Sequence, residues 1–163
     1  MQSRGTLRGE ASRGVTMKVD VPLGDVVDRA TILRLKRTHL RDPSQRRNVE
    51  NELAALEAAW ASEARAPMEE LHDWKPLFEV NQTLWDVEDA LREHERRTDF
   101  GSEFVRLARA VYALNDQRAA LKKGINLVLG SSLVEEKSYA AVPAPQALRP
   151  IDGYVGPLRS EVG

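Results

Sequence analysis

The sequence predicts an all-α fold, an antiparallel four-helix bundle with disordered N- and C-terminal tails. Three observations carry this. Four long segments repeat their apolar residues at three- and four-residue spacing, which lines one face of a helix. Proline, glycine or aspartate punctuates the segment boundaries, and the connections are short. The strand-like alternation from Met17 to Val21 is brief and ends at Pro22.

Residues 1–16 are rich in Gly, Ser and Arg and lack periodicity, so they read as a disordered basic arm or as a start-site artefact ahead of Met17. The first helix is predicted over Leu23 to Arg41. Leu23, Val26, Ala30 and Leu33 form one stripe; Asp28, Ile32, Leu35 and His39 form a second beside it. Asp25 and Asp28 lie in its first turns, where carboxylates suit the helix dipole. Asp42-Pro43 is a stop and restart, with Asp42 as cap and Pro43 at the first helical position. The second helix runs to about Ala64 on a stripe of Val49, Leu53, Leu56 and Trp60. Ala66-Pro67 opens a short segment carrying Met68, Leu71 and Trp74, and Pro76 is a kink or a fresh start.

The third helix is predicted from about Pro76 to Arg97, with Val80, Leu84, Val87 and Leu91 inward. Asp99 or Ser102 caps the fourth, which ends near Leu129 with Gly130 as its stop. Its stripe of Phe104, Leu107, Val111, Leu114, Leu121, Ile125 and Val128 makes it the helix on which the others are expected to pack. Gly124 inside it costs about 1 kcal/mol against Ala, unless a neighbour approaches closely. Ser132 and Glu135 have capping-box spacing. Residues 141–163 form a Pro- and Gly-rich tail, leaving 17–140 as the helical-bundle domain.

With 42% hydrophobic and 30% charged residues, the chain has the composition of a folded protein with a charged surface. It contains no cysteine, which excludes disulfides, thiolate metal sites and cysteine nucleophiles. No apolar run reaches the length of a membrane span, and no secretory signal is present, so a cytoplasmic location is expected. The net charge of −1 argues against general nucleic-acid binding.

One position breaks the fourth stripe. Arg118 stands where the pattern asks for an apolar residue, between Leu114 and Leu121. An arginine inside a bundle must find a partner, because an unpaired buried charge is very costly. Asp28 and Glu88 are the carboxylates the pattern supplies. Asn81, Trp85 and Glu88 share a face of the third helix; Tyr112, Asn115, Arg118 and Lys122, with Asn126 further along, lie on or beside the stripe of the fourth. Asp28, Asn81, Trp85, Glu88, Tyr112, Asn115, Arg118 and Lys122 are therefore the ligand-binding candidates. Their bland reading is an ion-pair network that fixes helix register. Their functional reading is a polar pocket for a small anionic or polyhydroxylated ligand.

Metal and nucleophile chemistry find little support. His39, His72 and His94 lie on separate segments, and the single Glu69-x-x-His72 spacing lacks the second copy that di-iron bundles need. No cofactor and no metal are expected. There is no nucleophile elbow and no phosphate-binding glycine loop. Arg34, Lys36, Arg37, Arg41, Arg46 and Arg47 form a basic cluster opposed only by Asp42; it reads as a solvated face that could also meet phosphates.

Three stretches carry a resemblance: MKVDVPLGDVVDRATILRLK from residue 17, NQTLWDVEDALR from residue 81, and residues 99–140 beginning DFGSEFVRLARAVYALNDQR. Together, over Met17 to Ala140, the chain resembles a bacterial family of unknown function (DUF family 6165). The resemblance implies no established activity and no catalytic residues. It carries a loose association with cell-surface polysaccharide assembly. All-helical chorismate mutases are similar in style only, in placing Arg, Lys, Glu and Asn or Gln inside a bundle.

The expected function is a helical-bundle binding or accessory protein, linked through the resemblance to surface-polysaccharide assembly. Its partner would be a protein or a small anionic or sugar ligand, and a homo-oligomer stays open. The alternative is a small mutase- or lyase-like enzyme working through the inward polar cluster.

Overall fold

The computed structural model describes residues 17–63, 65–133 and 136. The expected basic arm, the Pro- and Gly-rich tail and the Ser132 to Glu135 capping spacing lie wholly or partly outside them. Four helices follow in order: α1 (Leu23–His39), α2 (Pro43–Ser62), α3 (Trp74–Arg97) and α4 (Ser102–Leu129), with one 3₁₀ turn at Met68–Glu70. There is no strand among the described residues.

The boundaries shift by a few residues for local reasons. α1 stops at His39, before the expected Arg41, because Leu40 turns extended at φ −72° and ψ 130°. Asp42 is held extended ahead of Pro43 and caps α2, its carboxylate accepting the Gln45 N–H at 2.8 Å. α3 begins at Trp74, so Pro76 neither kinks nor starts it. It falls within the first turn, where a missing N–H breaks no intrahelical bond. Neither Asp99 nor Ser102 caps α4. Gly101 holds the cap position, and Asp99 accepts its N–H at 3.2 Å instead. Gly130 ends α4 in the left-handed conformation, φ 64°.

α1 is the hub, in place of the expected α4. It packs on α2, α3 and α4, while α3 and α4 pack on each other. Two adjacent buried faces make this workable. Val27, Ala30 and Leu33 join Val49, Leu53 and Trp60 of α2, Met68, Trp74, Leu77 and Ile125 in a first core. A second core lies wholly between α3 and α4, from Leu84, Val87 and Ala90 to Leu107, Ala110 and Leu114. The stripe of α4 holds as far as Ile125, but Val128 is 79% exposed. A strict seven-residue repeat drifts by about 20° per heptad on a straight helix, and by Val128 it has rotated off the core. Leu129 packs there instead.

Two glycines let neighbours approach. A Cβ at Gly124 would lie 2.8 Å from the Asp73 carboxylate. A Cβ at Gly24 would collide with the backbone carbonyl of Lys122, which cannot swing aside as a side chain can. Gly24→Ala should therefore push α1 and α4 apart and destabilise by about 1 to 3 kcal/mol, the usual cost of overpacking. Urea denaturation would measure it as a lower midpoint with an unchanged slope; an unchanged midpoint would show that the two backbones are not held in contact.

Candidate functional site

α1 and α4 run antiparallel and are joined by three polar rungs. At the first, Asn126 Oδ1 accepts the Gly24 N–H at 2.6 Å. Lys122 pairs with Asp25 at the second. At the third, the Arg118 guanidinium grips Asp28 with both prongs, Nε on Oδ1 at 2.9 Å and a terminal nitrogen on Oδ2 at 2.6 Å. The spacing follows from helix geometry: Asp25 and Asp28 are three apart on α1, and Arg118, Lys122 and Asn126 are four apart on α4. α1 starts behind Pro22, which offers no capping side chain. Its first free N–H groups are met by Asn126 of α4 and, just past the end of that helix, by Ser131 Oγ, which accepts the Leu23 N–H at 3.3 Å.

α3 closes the third rung. Asn81 Nδ2 donates to Asp28 Oδ1 and to Thr31 Oγ1, each at 2.8 Å. The Thr31 hydroxyl donates to the Asp28 carbonyl at 2.7 Å. Asp28, Thr31, Asn81 and Asn126 are all buried. The carboxylate of Asp28 thus receives three donors, two from a planar fork that matches its geometry. Buried polar groups satisfied this fully act as a register lock between three helices.

Of the eight sequence-predicted residues, the structure gathers Asp28, Asn81 and Arg118 into one network and sets Lys122 beside it on Asp25. Asn115, half-buried, donates to the Val111 carbonyl at 3.0 Å. Glu88 is a correction: it is exposed and pairs with Arg92 on its own helix at 3.2 Å. Tyr112 is another, since it lies on the outside of α4 with Arg109 donating to its hydroxyl at 3.3 Å. Trp85 is half-buried and meets the His39 ring, centroids 4.7 Å apart. The helical face that holds Asn81 against α1 turns outward after Trp85, because α1 ends at His39. Beside it, burial raises the carboxyl of Asp86 above its usual range, against the opposing pull of the Gln82 hydrogen bond and the His39 charge. The candidate set lacked Thr31 and Asn126. A threonine three residues after an inward aspartate, and a helix start without a capping residue, were the signals.

Most arginines on the described helices are paired, and Arg65 and Arg109 lie singly against Trp60 and Tyr112. Arg29 meets Glu52, Arg34 meets Glu57 and Glu69, Arg92 meets Glu88, Arg96 and Arg97 share Glu93, and Arg106 meets Glu103. The corner where α1 turns into α2 differs. Among the described residues, Lys36, Arg37, Arg41 and Arg47 have no ion-pair partner, and Arg46 has only Glu50 at 3.9 Å. Asp42 is occupied as the cap. Lys36 and Arg37 suit the C-terminal end of the α1 dipole. Arg46 and Arg47 do not suit α2, whose first turn holds no acidic residue.

No three His, Asp or Glu side chains are grouped to hold a metal ion, and no helix is long and apolar enough to cross a membrane, both among the described residues. A family model described as "Family of unknown function (DUF6165)" matches residues 17–149. The chain belongs to that family. The match starts at the same Met17 as the motifs and continues past Ala140. No curated protein and no solved structure matches the chain.

Arg118→Met should leave Asp28 buried with Asn81 as its remaining side-chain donor and cost about 3 to 5 kcal/mol. Adding Asp28→Leu removes the stranded charge, so the double variant should recover at least half of that loss, a coupling that chemical denaturation of the full cycle measures. Additive losses would mean that the two side chains act independently.

Proposed function

We propose that this member of the DUF6165 family is a helical binding or accessory module that engages an anionic partner through the corner where α1 turns into α2. The observation that supports this is the unpaired corner. Among the described residues Arg29, Arg34, Arg92, Arg96, Arg97, Arg106 and Arg118 meet carboxylates, and Arg65 and Arg109 lie singly against Trp60 and Tyr112, yet Lys36, Arg37, Arg41 and Arg47 gather uncompensated at one corner, with two arginines set against the α2 dipole. A local rule broken at a surface, with no gain in stability, marks a place where function sets the sequence. Guanidinium forks match phosphate and carboxylate oxygens.

The interior cluster is where a small mutase- or lyase-like enzyme would need a guanidinium facing its substrate. There the fork is on Asp28, so the surface reading is preferred. The association with surface-polysaccharide assembly, carried by the resemblance alone, makes nucleotide sugars and sugar phosphates the first ligands to try.

Thermal-shift titration with a nucleotide sugar, a sugar phosphate and a polyphosphate tests the reading. A ligand that binds only the folded state raises stability by about 2.7 kcal/mol at a hundredfold excess over Kd, and salt should weaken the effect. Arg41→Glu/Arg47→Glu should abolish the shift without lowering the melting temperature of the free protein, since a glutamate near the α2 start suits the dipole better. A shift that survives this double change but disappears in Arg118→Met would place binding in the interior instead.

A further inference from the structure

The segment that leads into α1 has a surface of its own. Met17, Val19 and Val21 are 85%, 65% and 47% exposed. They alternate with Lys18 and Asp20, also exposed, so an extended conformation would place the three apolar side chains on one face and the two charges on the other. From Met17 to Val21 no backbone group makes a hydrogen bond within the described residues. The segment enters beside the end of α4, where Ser131 accepts the Leu23 N–H and where Leu127, Val128 and Leu133 are exposed. Six uncovered apolar residues therefore gather at one end of the bundle, next to five residues of unpaired backbone. Open backbone with an apolar row is the template on which another strand pairs.

We propose that the occupant is the same segment of a second copy, paired antiparallel about a twofold axis through Val19. The sequence is self-complementary in that register. Lys18 falls opposite the partner's Asp20 and Asp20 opposite the partner's Lys18, while Met17 meets the partner's Val21 and Val19 meets its own counterpart. An isologous interface repeats each contact, so both ion pairs form at once. Pro22, lacking an N–H, ends the ladder. A two-stranded ribbon is marginal alone; the apolar face formed by both copies packs on Leu127, Val128 and Leu133 at the ends of α4. A shift by one residue would bring apolar side chains to the charged face, so the register is specified.

The absence of cysteine makes the test clean. In the centred register, a cysteine at position 19 lies about 4.5 to 5.5 Å from its counterpart, inside the range a disulfide spans. A cysteine at position 21 is displaced from its counterpart by about 13 Å along the strand. Val19→Cys in the full chain should therefore form a covalent dimer under mild oxidation at least tenfold faster than Val21→Cys. In sedimentation equilibrium across a dilution series, the unmodified chain should approach twice its 18.3 kDa mass. Lys18→Asp should weaken the dimer by at least about tenfold by setting like charges opposite each other, and Lys18→Asp/Asp20→Lys should restore it. These residues are exposed and outside the helices, so the circular dichroism of all variants should stay unchanged. A chain that remains monomeric, a dimer indifferent to Lys18→Asp, or equal cross-linking at positions 19 and 21 would overturn the proposal. So would a monomer whose amides at positions 18–21 are protected from hydrogen exchange, because the chain's own C-terminal segment would then be the occupant.

Discussion

The grip of Arg118 on Asp28 is the constraint on which the rest of the structure depends. Apolar packing alone would let α1 slide or rotate against α3 and α4, since leucine and valine faces are tolerant of small shifts. A carboxylate that must meet a guanidinium from α4 and an amide from α3 admits one arrangement. The pair is separated by 90 positions in the chain, so it reports on tertiary placement and not on local helix formation. The desolvation it incurs is offset by the bidentate geometry and by the donors from Asn81.

The same lock explains why α1 can afford so poor a start. Helix N-termini normally carry their own cap, and Pro22 supplies none. Asn126 and Ser131 lie about two and three and a half turns beyond Arg118 on the same chain, so fixing Arg118 against Asp28 delivers them to the start of α1. The close approach at Gly24 completes the arrangement: only a residue without Cβ lets the two backbones come near enough for Asn126 to reach.

Much of this was legible in the sequence because the constraint is written as an exception. An arginine in a heptad slot must be matched by a carboxylate, and Asp28 occupies an inward slot on α1. Asn81 was legible for the same reason. Glu88 and Tyr112 misled because periodicity records which residues share a face and not how far the opposing helix extends. α1 has 17 residues against 24 in α3, so among the described residues no helix covers Glu88 on the face of α3 past Trp85. The hub was misplaced because α4 is the longest helix, whereas α1 presents two adjacent buried faces. Thr31 carried only a weak signal, its spacing from Asp28, and its role appears once Asn81 is placed above it. The contrast between paired and unpaired arginines was legible only in part: the cluster opposed by Asp42 alone and pairs within a helix follow from spacing, whereas pairs such as Arg29 with Glu52 and Arg34 with Glu57 join different helices.

The division into two cores has a consequence for how the chain reaches its native state. The core between α3 and α4 closes across the short connection between Arg97 and Ser102, so little chain entropy is lost in forming it. The contacts of α1 with α4 close loops of 90 residues and more and are costly until both helices are in place. Loop length alone favours two local hairpins, α1 with α2 across residues 40–42 and α3 with α4, as the units that form first, and the docking of α1 on α4 as the late step. Substitutions in the second core would then slow folding, whereas loss of the Arg118 and Asp28 contact would mainly hasten unfolding.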